Sequence, residues 1–166
     1  NVVHGGREVV DALCGHPGIA AISFVGSTGV ARHVYTEACK HGKRVQSAGG
    51  AKNVLLVLPD AELDATLQAI LSSAFGCAGQ RCMAGSLLMG VGHGDQLREQ
   101  VVEAMNGLAL GDTYDDPSAQ MGPVIDDAAR DRLFTSIADA EAEGLSLARD
   151  GREGVPDAGF FVGPTL

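Results

Sequence analysis

The chain contains no tryptophan, two tyrosines and five phenylalanines in 166 residues. A core without large aromatic side chains must close on branched aliphatics and alanine. Hydrophobic residues make up 45% of the chain, enough for an ordinary domain of this length. Cations are scarce as well: 12 Lys and Arg stand against 21 Asp and Glu, a net charge of −9. Nucleic acid is therefore not an expected partner, because phosphate contacts need clustered Lys and Arg. An anionic small molecule stays possible where backbone N–H groups and one or two cations hold it. No apolar run approaches the roughly 18 residues of a membrane span. The opening residues Asn1-Val2-Val3-His4-Gly5 do not read as a signal peptide. The four cysteines (Cys14, Cys39, Cys77, Cys82) form no Cys-x-x-Cys pair and the five histidines are scattered, so no metal site is expected. Reduced thiols in a cytoplasmic chain are the expectation.

Glycine is abundant, 23 residues against a usual share of about 7%, which points to tight turns and close backbone approaches. Short apolar runs alternate with amphipathic helical patterns, the order of an α/β fold. Helices are expected from Gly6 to Leu13, along Val30, Val34 and Ala38, and along Leu63, Leu67, Ile70, Leu71, Ala74 and Phe75. Asp60 is placed to cap the third of these, with Glu62 and Asp64 in its first turn. Further helices carry Leu97, Val101, Met105 and Leu108, and then Leu133, Ile137 and Ala140 behind Asp126 or Asp127. Strands are expected at 19–25, 44–48, 54–58, 86–91, 145–148 and 160–162, the first of them apolar enough to be covered on both faces. Gly49-Gly50 reads as the seam between two units, drawn as 1–45 and 46–166.

Two stretches carry candidate chemistry. Phe24-Val25-Gly26-Ser27-Thr28-Gly29 runs from a strand into a helix, so Ser27 or Thr28 caps the helix and free N–H groups face the sheet edge. A dinucleotide pyrophosphate fits there; so do water and an ordinary cap. The other stretch is Gly76-Cys77-Ala78-Gly79-Gln80-Arg81-Cys82-Met83-Ala84-Gly85. Its small residues leave the backbone open to close approach, and Cys82 stands next to the cation Arg81. A thiol is a nucleophile only as the thiolate, a form that nearby positive charge favours. Adjacent side chains often diverge, so Arg81 equally serves a bound anion, and a buried structural cysteine is the plain alternative.

Phe24 to Thr28, Gly49-Gly50-Ala51-Lys52-Asn53, Pro59-Asp60-Ala61-Glu62-Leu63-Asp64 and Gly79-Gln80-Arg81-Cys82 together resemble the aldehyde dehydrogenase superfamily. Met121-Gly122-Pro123-Val124 and Gly159-Phe160-Phe161-Val162-Gly163-Pro164-Thr165 extend the resemblance in the same order, across essentially the whole chain. Ser47 stands where most members carry a water-activating glutamate, and Ala51 intervenes between the glycine pair and Lys52. With Arg81 before the cysteine, these departures are similar to the CoA-acylating methylmalonate-semialdehyde subgroup.

The resemblance implies the end of a Rossmann-like NAD-binding domain (1–45) followed by part of the α/β catalytic domain (46–166). It implies Cys82 as nucleophile, Arg81 on the substrate carboxylate, Ser27 with Gly26 at the cofactor pyrophosphate, and Gly49 near the nicotinamide. NAD as cofactor, coenzyme A as co-substrate, a place in valine catabolism and a homo-oligomeric full-length enzyme come with it. No residue here matches the family's oxyanion-hole Asn, its adenosine-ribose Lys or its nicotinamide-ribose Glu. Little or no activity is therefore expected of the isolated chain. A hydrolytic aldehyde dehydrogenase and a catalytically silent domain are the competing readings.

Overall fold

A computed structural model describes residues 1–166. Two parallel strand pairs, each joined through a helix, account for both sheets. In residues 1–51, β1 (Ala21–Val25) pairs with β2 (Arg44–Ala48), Ala21 opposite Arg44 and Val25 opposite Ala48. Helix α2 (Thr28–Lys40) makes the crossover, and α1 (Arg7–Gly15) packs beside it. The apolar stripe seen in the sequence is the reason: Cys14, Val34 and Ala38 are buried together, with Val10, Ile22, Phe24 and Val45 against them. Lys43 is drawn into the same region, its Nζ donating to the carbonyls of His16 and Ile19 at 2.5 Å each. Those bonds tie the cation just before β2 to the turn that follows α1.

Strand β1 departs from the expected double coverage. Only alternate residues, Ile22 and Phe24, face the helices, while Val25 is 66% exposed. Because β2 bonds to β1 along its whole length, this compact unit runs to Ala51, beyond the 45/46 boundary drawn from the sequence.

In residues 52–166, β3 (Asn53–Val57) pairs with β4 (Gly85–Gly90), with a register shift between Asn53 and Val54. Three helices follow the expected order: α3 (Leu63–Phe75), α4 (Gly94–Asn106) and α5 (Asp127–Ala142). Ile70, Leu97, Val101 and Met105 form the buried centre, and Leu55, Val57 and Leu88 pack on it from the strands. The opposite strand face, bearing Val54, Leu56, Leu87 and Met89, is exposed. No helix is long and apolar enough to cross a membrane.

Two local expectations fail here. The cap of α3 is Glu62, whose carboxylate accepts from Asp64 N at 3.1 Å and Ala65 N at 2.7 Å. Asp60 is displaced from that role because Ala61 N bonds back to the Leu58 carbonyl, a turn that starts the helix later. Residues 145–148 and 160–162 are not regular strands. Backbone bonds tie them instead, Ala148 N to the Leu166 carbonyl at 2.7 Å and Val124 N to the Phe160 carbonyl at 2.8 Å, while just beyond them Gly163 N bonds to the Gly151 carbonyl at 2.7 Å. A side chain on Gly151 would meet the Gly163 oxygen at 1.9 Å, so the chain touches itself backbone to backbone at these two glycines.

Candidate active site

Cys82 and Arg81 lie in residues 52–166, and Gly26, Ser27 and Gly49 in residues 1–51; each group makes its own local site. The thiol loop begins where α3 stops. Cys77 (φ 55°) and Ala78 (φ 51°) adopt left-handed backbone, followed by Gly79 (φ 70°). Left-handed conformation costs a side-chain-bearing residue roughly 1–2 kcal/mol, so something must hold it. Ala78 packs against the buried cluster of Val124, Ala129 and Val162. Gln80 adds a carboxamide bridge. Its Nε2 donates to the carbonyls of Cys77 (3.2 Å) and Pro123 (3.4 Å), and its Oε1 accepts from Ile125 N at 3.0 Å.

Cys82 itself is exposed, as are Cys77 and Cys39, whereas Cys14 is buried. The backbone around Cys82 is held by Asn53 at the head of β3. The Asn53 Nδ2 donates to the carbonyls of Cys82 and Ala84, both at 2.9 Å. The guanidinium of Arg81 turns back to α3: Nη2 donates to the Ser72 carbonyl and, at 3.3 Å, to that of Ser73. Both carbonyls lie in the last turn of α3, at the negative end of the helix dipole, and that of Ser72 also accepts from Gly76 N. Gly76 makes the seat, since a Cβ there would come within 2.6 Å of Nη2. The cation therefore serves the helix end, and its Nε–H and Nη1–H are not used in these bonds. The sequence did not single out Asn53 or Gln80 as anchors. Its only signal for them was a carboxamide at a strand start and another inside a glycine-rich loop.

In the other unit, Ser27 occupies the position before α2 without a side-chain capping bond, although its carbonyl accepts from Ala31 N at 2.8 Å. Thr28 faces the end of β2 instead, its Oγ1 accepting from Gly50 N at 3.1 Å. Gly49 has no room for a side chain: a Cβ would stand 2.8 Å from Thr28 Oγ1 and 3.1 Å from Thr28 Cα. At Gly26 a Cβ would meet the Phe24 ring at 2.6 Å. Beside this helix start lies a cavity of about 430 Å³ lined by Gly5, Gly6, Arg7, Val10, Gly29, Val30 and His33. Asp11 fixes two of those side chains, with His33 Nε2 at 2.5 Å and Arg7 Nε at 3.5 Å. The His33 bond is the main reason that the Asp11 carboxyl titrates below its ordinary range. The sequence marked Gly29 in the strand-to-helix turn and Val30 on a helix face, but gave no sign of Arg7 or His33.

Ser47, at the position where most members of the resembled family carry a glutamate, faces the helix layer and donates from Oγ to the Ala31 carbonyl at 2.7 Å. The residue on the other face of β2 is Ala48, which is exposed. Neither position offers a carboxylate.

Parallel strands, crossover helices, a helix start at the carboxyl ends of one strand pair and a reachable thiol define an α/β protein equipped for covalent chemistry. The aldehyde dehydrogenase family description matches residues 1–166, and the chain belongs to that family. It is 47% identical to malonate-semialdehyde dehydrogenase 2 of Geobacillus kaustophilus (strain HTA426) over 169 residues, covering 100% of this chain and 35% of that protein. Among solved structures, it resembles methylmalonate-semialdehyde dehydrogenase from Oceanimonas doudoroffii with a TM-score of 0.91 and 42% identity, covering 97% of this chain and 34% of that one. A Sinorhizobium meliloti 1021 chain, assigned as a methylmalonate-semialdehyde dehydrogenase and complexed with NAD, gives the same TM-score of 0.91 at 40% identity, with 97% and 34% covered. The chain thus spans about a third of the length of the curated relatives it matches.

Proposed function

We propose that these residues carry the nucleophile and part of the cofactor site of an NAD-dependent, CoA-acylating dehydrogenase for malonate-type semialdehydes. The observation that carries this reading is the exposed Cys82 thiol on a loop pinned by Asn53 and Gln80. Residues 1–51 would serve the cofactor and residues 52–166 the acyl chemistry.

The residues around the start of α2 suit NAD. The first N–H groups of that helix have no intrahelical partner and no Ser27 cap, which favours a pyrophosphate. Gly26 and Gly49 keep side chains away, and the largely apolar cavity at Val10 and Val30 suits a flat ring. NAD, when bound, supplies the hydride acceptor.

Cys82 acts by adding its thiolate to the aldehyde carbon, giving a thiohemiacetal oxyanion. When this collapses, the carbon–hydrogen bond breaks as hydride departs, and an acyl thioester remains on the sulfur. Hydrolysis of that thioester needs a general base. Positions 47 and 48 hold Ser and Ala, so the CoA thiol takes the acyl group and Cys82 leaves as thiolate. Arg81 would hold the substrate carboxylate through a guanidinium N–H that the helix end leaves free. Loss of carbon dioxide, giving propionyl-CoA or acetyl-CoA, follows from resemblance to the subgroup, as does a homo-oligomeric assembly.

The test is a graft. Residues 1–166 replace the matching third of the Geobacillus kaustophilus relative, and NADH formation is followed with methylmalonate semialdehyde and CoA. We expect NADH and propionyl-CoA in step, with both lost in the Cys82→Ser graft. Free acid formed without CoA would overturn the acylating reading, and activity surviving Cys82→Ser would overturn the assignment of the nucleophile.

A further inference from the structure

The glycine at position 76 is not required by its own backbone. Gly79 in the same loop is left-handed, at φ 70°, where a side chain is strained. Gly76 instead closes α3 at φ −56° and ψ 133°, extended backbone that any residue adopts. What leaves no room for a side chain is the head of Arg81. A Cβ on Gly76 would stand 2.6 Å from Nη2, 3.0 Å from Cζ and 3.5 Å from Nη1, and these nearest atoms all belong to the one guanidinium.

Arg81 is exposed, and an exposed arginine ordinarily spreads over many rotamers that it loses on binding. Here it is fixed at both ends. Its carbonyl accepts from Ala84 N at 3.0 Å, and Nη2 is held by the carbonyls of Ser72 and Ser73. That platform is braced in turn: Ser73 Oγ accepts from Gly85 N at 3.1 Å, tying the end of α3 to the start of β4. A cation held in this way meets an anion without the ordering cost of a loose side chain.

We propose that Gly76 determines the preference for an acidic substrate: the room it leaves docks Arg81 on the end of α3 and presents a remaining guanidinium N–H to the carboxylate of the semialdehyde. This rests on the reading of Arg81 as partner of that carboxylate and of Cys82 as nucleophile. With no side chain of its own, Gly76 acts only through Arg81, as a positioning residue. An alanine there displaces the flexible guanidinium and leaves the backbone in place, so the loop persists while the cation loses its seat. An uncharged aldehyde has nothing for the cation to hold and is indifferent to the change.

The test compares two alkylating agents at Cys82. In 3-iodopropionate the carboxylate and the electrophilic carbon have the spacing found in malonate semialdehyde, and 3-iodopropionamide is the neutral counterpart. Each forms a sulfur–carbon bond as iodide leaves, so the readout needs neither NAD nor CoA. In the graft bearing residues 1–166, modification of Cys82 is timed by tandem mass spectrometry in the parent, Gly76→Ala, Arg81→Gln and the double variant. We expect Gly76→Ala to lower the ratio of acidic to neutral rate about tenfold, as for one lost charge-assisted hydrogen bond. The neutral rate, which reports an intact loop, should hold. Arg81→Gln should lower the ratio as far, and the double variant no further. A ratio lowered by Arg81→Gln but not by Gly76→Ala would overturn this proposal alone. A ratio unmoved by Arg81→Gln would take the carboxylate from Arg81 and overturn both readings. A double variant below Arg81→Gln, or a neutral rate in Gly76→Ala that falls with the acidic one, would show Gly76 shaping the loop and not the preference.

Discussion

Asn53 shows how a single side chain sets the loop that carries Cys82. Its carboxamide nitrogen donates to the two carbonyls that bracket Met83, so the main chain at the thiol cannot rotate freely. Removing both bonds in Asn53→Ala is expected to lower stability by about 1–2 kcal/mol, at roughly 1 kcal/mol per bond, measured by urea denaturation. Asn53→Asp should cost at least as much, since it turns two acceptors toward a third acceptor. An unchanged midpoint in both variants would show that the anchor is dispensable. At this scale the cysteine is legible in the sequence, because its glycine-rich neighbourhood and ordered flanking motifs are carried by the chain itself. The anchors are not. A carboxamide has no chemistry of its own to advertise, and its role depends on which carbonyls the fold brings near. Arg81 behaves likewise: its position next to Cys82 is plain, but the direction of its guanidinium depends on Gly76 and the carbonyls in the last turn of α3.

Elements are legible where hydrophobic periodicity is strong. The stripe Leu67, Ile70, Leu71 and Phe75 is the packed face of α3, and Leu97, Val101 and Met105 are the buried line of α4. Their boundaries are not, since a cap is decided by the turn that precedes it. Glu62 accepts from two N–H groups of α3, and Asp60 from neither. Glu62→Ala should therefore cost about 1 kcal/mol, while Asp60→Ala should stay within about 0.5 kcal/mol of the parent. Thermal unfolding of the two variants side by side checks this, and a larger loss in the Asp60 variant would reverse the assignment. The two apolar runs near Leu166 mislead because composition marks a segment as buried without saying how it pairs. Phe161 and Val162 are indeed buried, but contact of Gly151 with Gly163 replaces a regular ladder.

Across the whole molecule, acid sensitivity can be read from its carboxylates. Asp11, Glu37, Asp116 and Asp150 all titrate below their ordinary values, held there first by hydrogen bonds from His33, Lys40, Ser118 and Arg152 respectively. A carboxyl whose folded value is depressed binds fewer protons when folded than when unfolded. Its contribution is complete above the unfolded value, about 4, and disappears as the pH falls through the lower folded value. The melting temperature should thus be flat with respect to these groups from neutrality down to about pH 5 and fall below about pH 4. Asp150→Asn should blunt that fall. A melting temperature that keeps rising as acid is added would contradict the sign.

Each sheet stops at two strands, and β3 and β4 leave Val54, Leu56, Leu87 and Met89 uncovered on one side. Main-chain donors and acceptors along the outer flank of every strand are thereby left to water, and isolated pairs of this kind are marginal on their own. The polypeptide thus behaves as an unfinished surface, adhesive along its rims. Whatever annexes the rim of β3 also bears on Asn53, the side chain that holds the main chain at Cys82.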